Sequence, residues 1–134
     1  VTAQRDIVAS LFTRGRISLA AVRGAWALRD AAAVLAAGPD ASRVTASATF
    51  APTAATARQL IEAAKIALGD DDEARKAEWR DLVEPHVLRG ETVLAMGGRG
   101  RDWIKRDRAL RRALERIGAA LKPMLPRSPL DNQT

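Results

Sequence analysis

The chain of 134 residues carries 22 Lys and Arg against 16 Asp and Glu, a formal charge of +6, with 47% hydrophobic and 28% charged side chains. That length leaves room for one domain, and the apolar fraction is too high for a disordered chain. The absence of cysteine excludes thiol catalysis, cysteine-based zinc sites and disulfide frameworks. The chain begins at Val1 without a basic-then-apolar leader, so it reads as an excised or processed piece. Its longest mostly apolar stretch, residues 31–37, is far short of the ~20 residues that cross a bilayer. The expectation is no membrane association and a cytoplasmic location.

In chain order, residues 4–14 place Ile7, Val8, Leu11 and Phe12 on one helical face before Gly15 stops the helix. Ser18 is a good N-cap for a second helix through Val22, Trp26, Leu28 and Leu35 that ends at Gly38-Pro39. The pair reads as an αα-hairpin rather than a base-reading helix-turn-helix, because its second helix is long and Ala-rich. Residues 41–52 lack helical periodicity and form one long irregular connection, within which residues 44–50 alternate. Thr53 caps a third helix burying Leu60, Ile61, Ala64 and Leu68, closed by Gly69. The run Asp70-Asp71-Asp72-Glu73 complements the dipole at the start of a fourth helix, a simpler account than a metal site. That helix carries Ala77, Trp79, Leu82 and Val83, meets Pro85, and keeps the same face through Val87, Gly90 and Leu94. A kink, or two collinear helices ending at Gly97-Gly98, is expected. His86, the one histidine, has no nucleophile or paired-carboxylate signature around it and reads as a surface residue.

The charge is unevenly placed. Residues 1–95 hold 12 basic and 12 acidic side chains and residues 123–134 one of each, so the whole +6 lies in residues 96–122. At about 100° per residue, Trp103, Leu110, Leu114, Ile117 and Leu121 fall on one stripe of a fifth helix, which docks. Arg101, Lys105, Arg108, Arg112 and Arg116 form a row on the opposite face. Asp102 caps the helix start and Pro123 ends it. Like charges at i, i+4 repel by a few tenths of a kcal/mol, so either Asp107 and Glu115 or a polyanion must offset the row. The preceding turn, Gly97-Gly98-Arg99-Gly100-Arg101, sets guanidinium groups ahead of a helix N-terminus, an arrangement suited to phosphate. It is neither a Walker A loop nor a dinucleotide fingerprint. Phe12, Phe50, Trp26 and Trp79 sit where the core claims them, and Trp103 is assigned to the core as well.

The segments Gly15-Arg16-Ile17-Ser18 and Trp26-Ala27-Leu28-Arg29-Asp30, with Ala109-Leu110, Ala113-Leu114 and Arg116-Ile117 behind a Gly/Trp turn, resemble a known pattern over residues 4–121. It is that of a helical domain of alphaproteobacterial gene-transfer-agent activators, which look like phage Q-type transcription antiterminators. Where that family tends to read Gly-Trp-Pro then Arg-Ser, this chain reads Gly100-Arg101-Asp102-Trp103-Ile104. The resemblance implies a protein that joins RNA polymerase near a promoter, with Nus factors, and lets transcription pass terminators. It brings no catalytic residues.

The expectation is therefore an all-α, compact bundle of about five helices over residues 4–122, with a flexible C-terminal tail over 123–134. It needs no cofactor or metal and performs no catalysis. Its basic helix, through Arg99, Arg101, Lys105, Arg108, Arg112 and Arg116, meets DNA or RNA and polymerase. The alternatives are a module for an acidic protein surface and a small phage-type packaging or structural component. The residues leave the oligomeric state open.

Overall fold

The second helix is rich in alanine, and the bundle is built around it. In the computed structural model, which describes residues 6–37, 53–69, 71–92 and 101–125 (Arg101 through its backbone), the fold is compact and all-α with five helices. They are α1 (Ile7–Thr13), α2 (Leu19–Ala37), α3 (Ala54–Ala67), α4 (Asp72–Glu78), which continues as a π-helical segment (Trp79–Leu88), and α5 (Arg101–Leu121). A 3₁₀ turn, Lys122–Met124, follows α5. Residues 41–52, Leu94, Gly97, Gly98, Arg99, Gly100 and residues 126–134 lie outside the described residues.

Helix α2 buries Ala21, Val22, Gly24, Ala25, Leu28, Ala31 and Val34, and α3 and α5 flank it and each other. The α2–α5 crossing is backbone on backbone. A Cβ on Gly118 would stand 2.6 Å from the Ala20 carbonyl and the Ala21 Cα, and one on Gly24 would stand 2.9 Å from the Gly118 Cα. Glycine is needed there for space. The core adds Val8 and Leu11 from α1, Leu60 and Ala64 from α3, Leu82, Val83 and Val87 from the π-helical segment, and Leu110, Leu114, Ile117 and Leu121 from α5. Phe12, expected in this core, is 40% exposed instead.

The helix starts follow local capping chemistry. Asp6 accepts from the Val8 amide at 2.9 Å, Thr53 from Thr56 at 3.1 Å and Asp71 from Ala74 at 2.9 Å, each satisfying an orphan donor of its helix. Asp71 and Asp72 are thereby accounted for, since Asp72 also pairs with Lys76 at 3.0 Å. Asp6 is a junction as well as a cap. It forms a two-pronged ion pair with Arg29 of α2, whose Nε donates to the Val87 carbonyl at 2.5 Å. Burial pushes the Asp6 carboxyl up, but the Arg29 hydrogen bond and charge and the helix-start amides outweigh it and hold the group below the usual carboxylate range.

Around Pro85 the helix takes π-helical form. Proline offers no N–H and its ring crowds the carbonyl of the preceding turn; the wider π turn gives that ring room. The π-helical segment ends at Leu88 and residues 89–92 are not helical; the expected continuation to Gly97-Gly98 lies outside the described residues. Gly90 takes φ +72°, and its carbonyl accepts from the Ile7 amide at 3.2 Å. A side chain at position 90 would press on Asp6 and Arg29 at 3.2 Å, so the turn, α1 and α2 close on one another at this glycine.

Candidate nucleic-acid interface

Helix α5 sorts its residues as the helical period requires, and the structure then separates its cations by use. Leu110, Ala113, Leu114, Ile117 and Leu121 are buried against α2 and α3, while Lys105, Arg108, Arg112 and Arg116 are exposed. Asp102 lies within the first turn rather than at the cap.

Arg106 turns inward. Its Nε donates to His86 Nε2 at 3.0 Å and its Nη2 to the Asp81 carbonyl at 2.7 Å, tying α5 to the π-helical segment beside Pro85. His86 is not the surface residue expected from its sequence neighbours; it is fully buried. Its Nδ1 lies 2.6 Å from the Glu91 carbonyl. A carbonyl only accepts, so Nδ1 carries the hydrogen, and Nε2, accepting from Arg106, carries none. The ring is thus neutral. Burial lowers its pKa below the ordinary 6.5 and the Arg106 charge adds to this, against an opposing pull from the Glu91 carbonyl.

The acids expected to offset the row are engaged elsewhere. Asp107 pairs with Arg111 at 3.0 Å. Glu115 reaches across to the start of α2, its two oxygens accepting from the Ser18 amide at 2.8 Å and the Ser18 hydroxyl at 2.6 Å. That places a carboxylate at a helix N-terminus, where the dipole favours it. Arg116 donates to the Leu68 carbonyl at the C-terminal end of α3 at 3.3 Å, the complementary arrangement. Lys105, Arg108 and Arg112 have no ion-pair partner among the described residues.

Trp103 departs from its assignment to the core. It shares the stripe of Leu110, Leu114 and Leu121, but docking begins only at Leu110; Trp103 is 41% exposed and Ile104 45%. Residues 102–105 are all exposed. Trp26 and Trp79 are half-buried and each carries a cation over its ring, Arg29 at 4.5 Å and Lys65 at 5.1 Å.

A groove of about 370 Å³ between α3 and α4, walled by Lys65, Arg75, Lys76, Trp79 and Arg80, is also rich in cations. These are engaged: Lys76 with Asp72, Arg80 with Asp81, Arg75 with the Gly69 carbonyl and Lys65 with the Trp79 ring. Among the described residues no three His, Asp or Glu side chains cluster to hold a metal, and no helix is long and apolar enough to cross a membrane. The candidate residues brought together are therefore Lys105, Arg108 and Arg112, with Arg116 at the end of the row; Arg99 and the Arg101 side chain lie outside the described residues. No family model, curated protein or solved structure matches this chain.

Proposed function

We propose that this chain is a cytoplasmic, non-enzymatic nucleic-acid-binding module of a transcription regulator, which meets DNA or RNA through the exposed face of α5. The observation that carries the reading is the set Lys105, Arg108 and Arg112. They repel one another, and the two nearby acids that would relieve them, Asp107 and Glu115, are bound to other partners. Phosphates arriving from outside relieve the repulsion and supply binding energy without sequence readout. Arg99 and Arg101 precede Lys105, Arg108 and Arg112 in the sequence. The resemblance to gene-transfer-agent activators supplies the finer reading, an antiterminator or activator acting with RNA polymerase and Nus factors.

Filter binding to duplex DNA and to RNA over a range of salt tests the proposal. Wild-type affinity falls steeply with salt. Changing Lys105, Arg108 and Arg112 together to Ala flattens the log–log slope on duplex DNA by roughly 0.9 for each phosphate that the variant no longer neutralises. Wild-type affinity in the triple variant, or no affinity in the wild type at low salt, overturns it.

A second reading is favoured by the exposed Trp103 and Ile104, which give the row an apolar border suited to an acidic protein surface such as a polymerase subunit. Capture of purified polymerase that survives nuclease treatment and is lost in the triple variant selects it.

A further inference from the structure

Resting on the nucleic-acid reading, we propose that α5 takes an unpaired strand in preference to a closed duplex, with the Trp103 indole stacking on a base while Arg108, Arg112 and Lys105 hold the backbone. The three tryptophans differ in what covers them. Trp26 and Trp79 are half-buried with a cation over the ring, whereas Trp103 is 41% exposed and has no cation over it among the described residues. An indole left in water at the start of the most basic helix has a cost, which a stacking partner removes.

At about 100° per residue, Ile104 stands between Trp103 and Arg108, and Arg112 and Lys105 lie beyond it, on the face opposite Trp103. The Asp107–Arg111 ion pair and Glu115 share the sector of Ile104, so a strand that reaches both the cations and the indole turns round the helix start. The exposed residues of α5 between positions 102 and 116 include no Asn or Gln, the side chains that pair with adenine edges in a groove. The cations of α5 can hold a backbone and its indole a ring face.

A duplex presents phosphate and sugar on its outside and keeps its base faces stacked within, so it satisfies the cations and leaves Trp103 without a partner. In an unpaired strand every base offers a face, and stacking on an aromatic side chain tolerates any sequence. The strand lays its phosphates along Arg108 and Arg112 and turns one base over the helix start.

The test is fluorescence anisotropy with labelled oligothymidylate, oligouridylate and a duplex of the same length at one fixed salt, using the wild type, Trp103→Ala, Trp103→Phe and Arg108→Ala. The wild type binds the single strands more tightly than the duplex. Trp103→Ala loses roughly 5- to 100-fold on the single strands and less than about 2-fold on the duplex, Trp103→Phe keeps most of the affinity, and Arg108→Ala weakens all three probes. Thermal unfolding close to wild type in Trp103→Ala shows that the loss is local, and Trp103→Phe carries the test if the alanine variant unfolds. If Trp103→Ala binds single strands as the wild type does while Arg108→Ala is weakened, the stacking inference is overturned and the nucleic-acid reading stands. If no probe binds the wild type, that reading falls and this inference with it. If an acidic peptide displaces the single strand and its own binding depends on Trp103, the indole serves a protein partner and the inference is overturned.

Discussion

Arg106 and Arg108 lie two residues apart on one basic helix, yet one is bound inward and the other stands exposed, and exchanging each for alanine tests the proposed division between folding and binding. Arg106→Ala removes a charge-assisted hydrogen bond to the Asp81 carbonyl (2.7 Å) and another to His86 Nε2 (3.0 Å). Such bonds contribute about 1.5–3 kcal/mol each, and an acceptor left without a donor in the interior costs about 1–3 kcal/mol. His86 is fully buried, so water does not readily replace the lost donor. Arg106 recovers some of this, since its own half-buried side chain no longer has to be ordered and desolvated. The net expectation is a loss of about 3 kcal/mol, a large share of the ~5–15 kcal/mol that holds a domain together, and roughly 10 °C in Tm. Urea unfolding followed by far-ultraviolet circular dichroism near neutral pH measures it. Arg108→Ala, by contrast, leaves stability within about 0.5 kcal/mol, because its guanidinium pairs with no acid among the described residues and its removal relieves repulsion with Arg112. Nucleic-acid affinity runs the other way, falling in Arg108→Ala and holding within about 2-fold in folded Arg106→Ala. A cost under about 0.5 kcal/mol for Arg106→Ala, or equal losses of affinity in the two variants, refutes this division of labour.

Acid sensitivity follows from His86. Its folded pKa is held below 6.5, so the unfolded chain takes up a proton that the folded chain refuses. Stability is therefore full above about 6.5 and falls as the pH drops from there toward the folded value; equilibrium unfolding of His86→Gln shows no such decline in that interval, whatever its stability at neutral pH. Asp6 acts lower, because its depressed pKa gives stability present above about 3.8 and lost as the pH falls through the folded value. Asp6→Asn keeps a capping oxygen but loses the charge facing Arg29, an expected cost of about 1–2 kcal/mol for a partly buried pair, and a Tm equal to wild type contradicts it. Gly118→Ala gains about 1 kcal/mol of helix propensity but drives a methyl to 2.6 Å from the α2 backbone. Overpacking of about 1–3 kcal/mol or more wins because backbone cannot step aside, and a higher Tm than wild type in thermal unfolding rules out that crossing.

What could be read from the sequence was whatever depends on neighbours within one or two turns. Thr53 and Asp71 announce helix starts because a cap bonds an amide two or three residues on, and the Leu110, Leu114, Ile117 and Leu121 stripe is a property of one helix alone. The misreadings share a cause. A helical wheel gives the direction of Trp103 but not where the body it would dock against ends, so Trp103 joined a stripe whose docking begins at Leu110. His86 read as a surface residue from its sequence neighbours; it is buried, and its Nε2 partner is Arg106, twenty residues away. Gly24 and Gly118, which look like weak points in their helices, acquire a purpose only where two backbones meet. The same limit governs the candidate site. Counting charges places all of the +6 in residues 96–122, but a sum cannot say which cations folding consumes. Arg106 is bound to His86, Arg111 to Asp107 and Arg116 to the end of α3, while Glu115, a neutraliser by count, serves the start of α2. Folding leaves the net charge as it was and changes its availability. Lys105, Arg108 and Arg112 are the described cations of α5 that no partner claims, and the same helix carries Trp103, which has no cation over its ring among the described residues. That availability is a product of tertiary structure, so the proposed interface is three side chains and an indole rather than a basic helix as a whole.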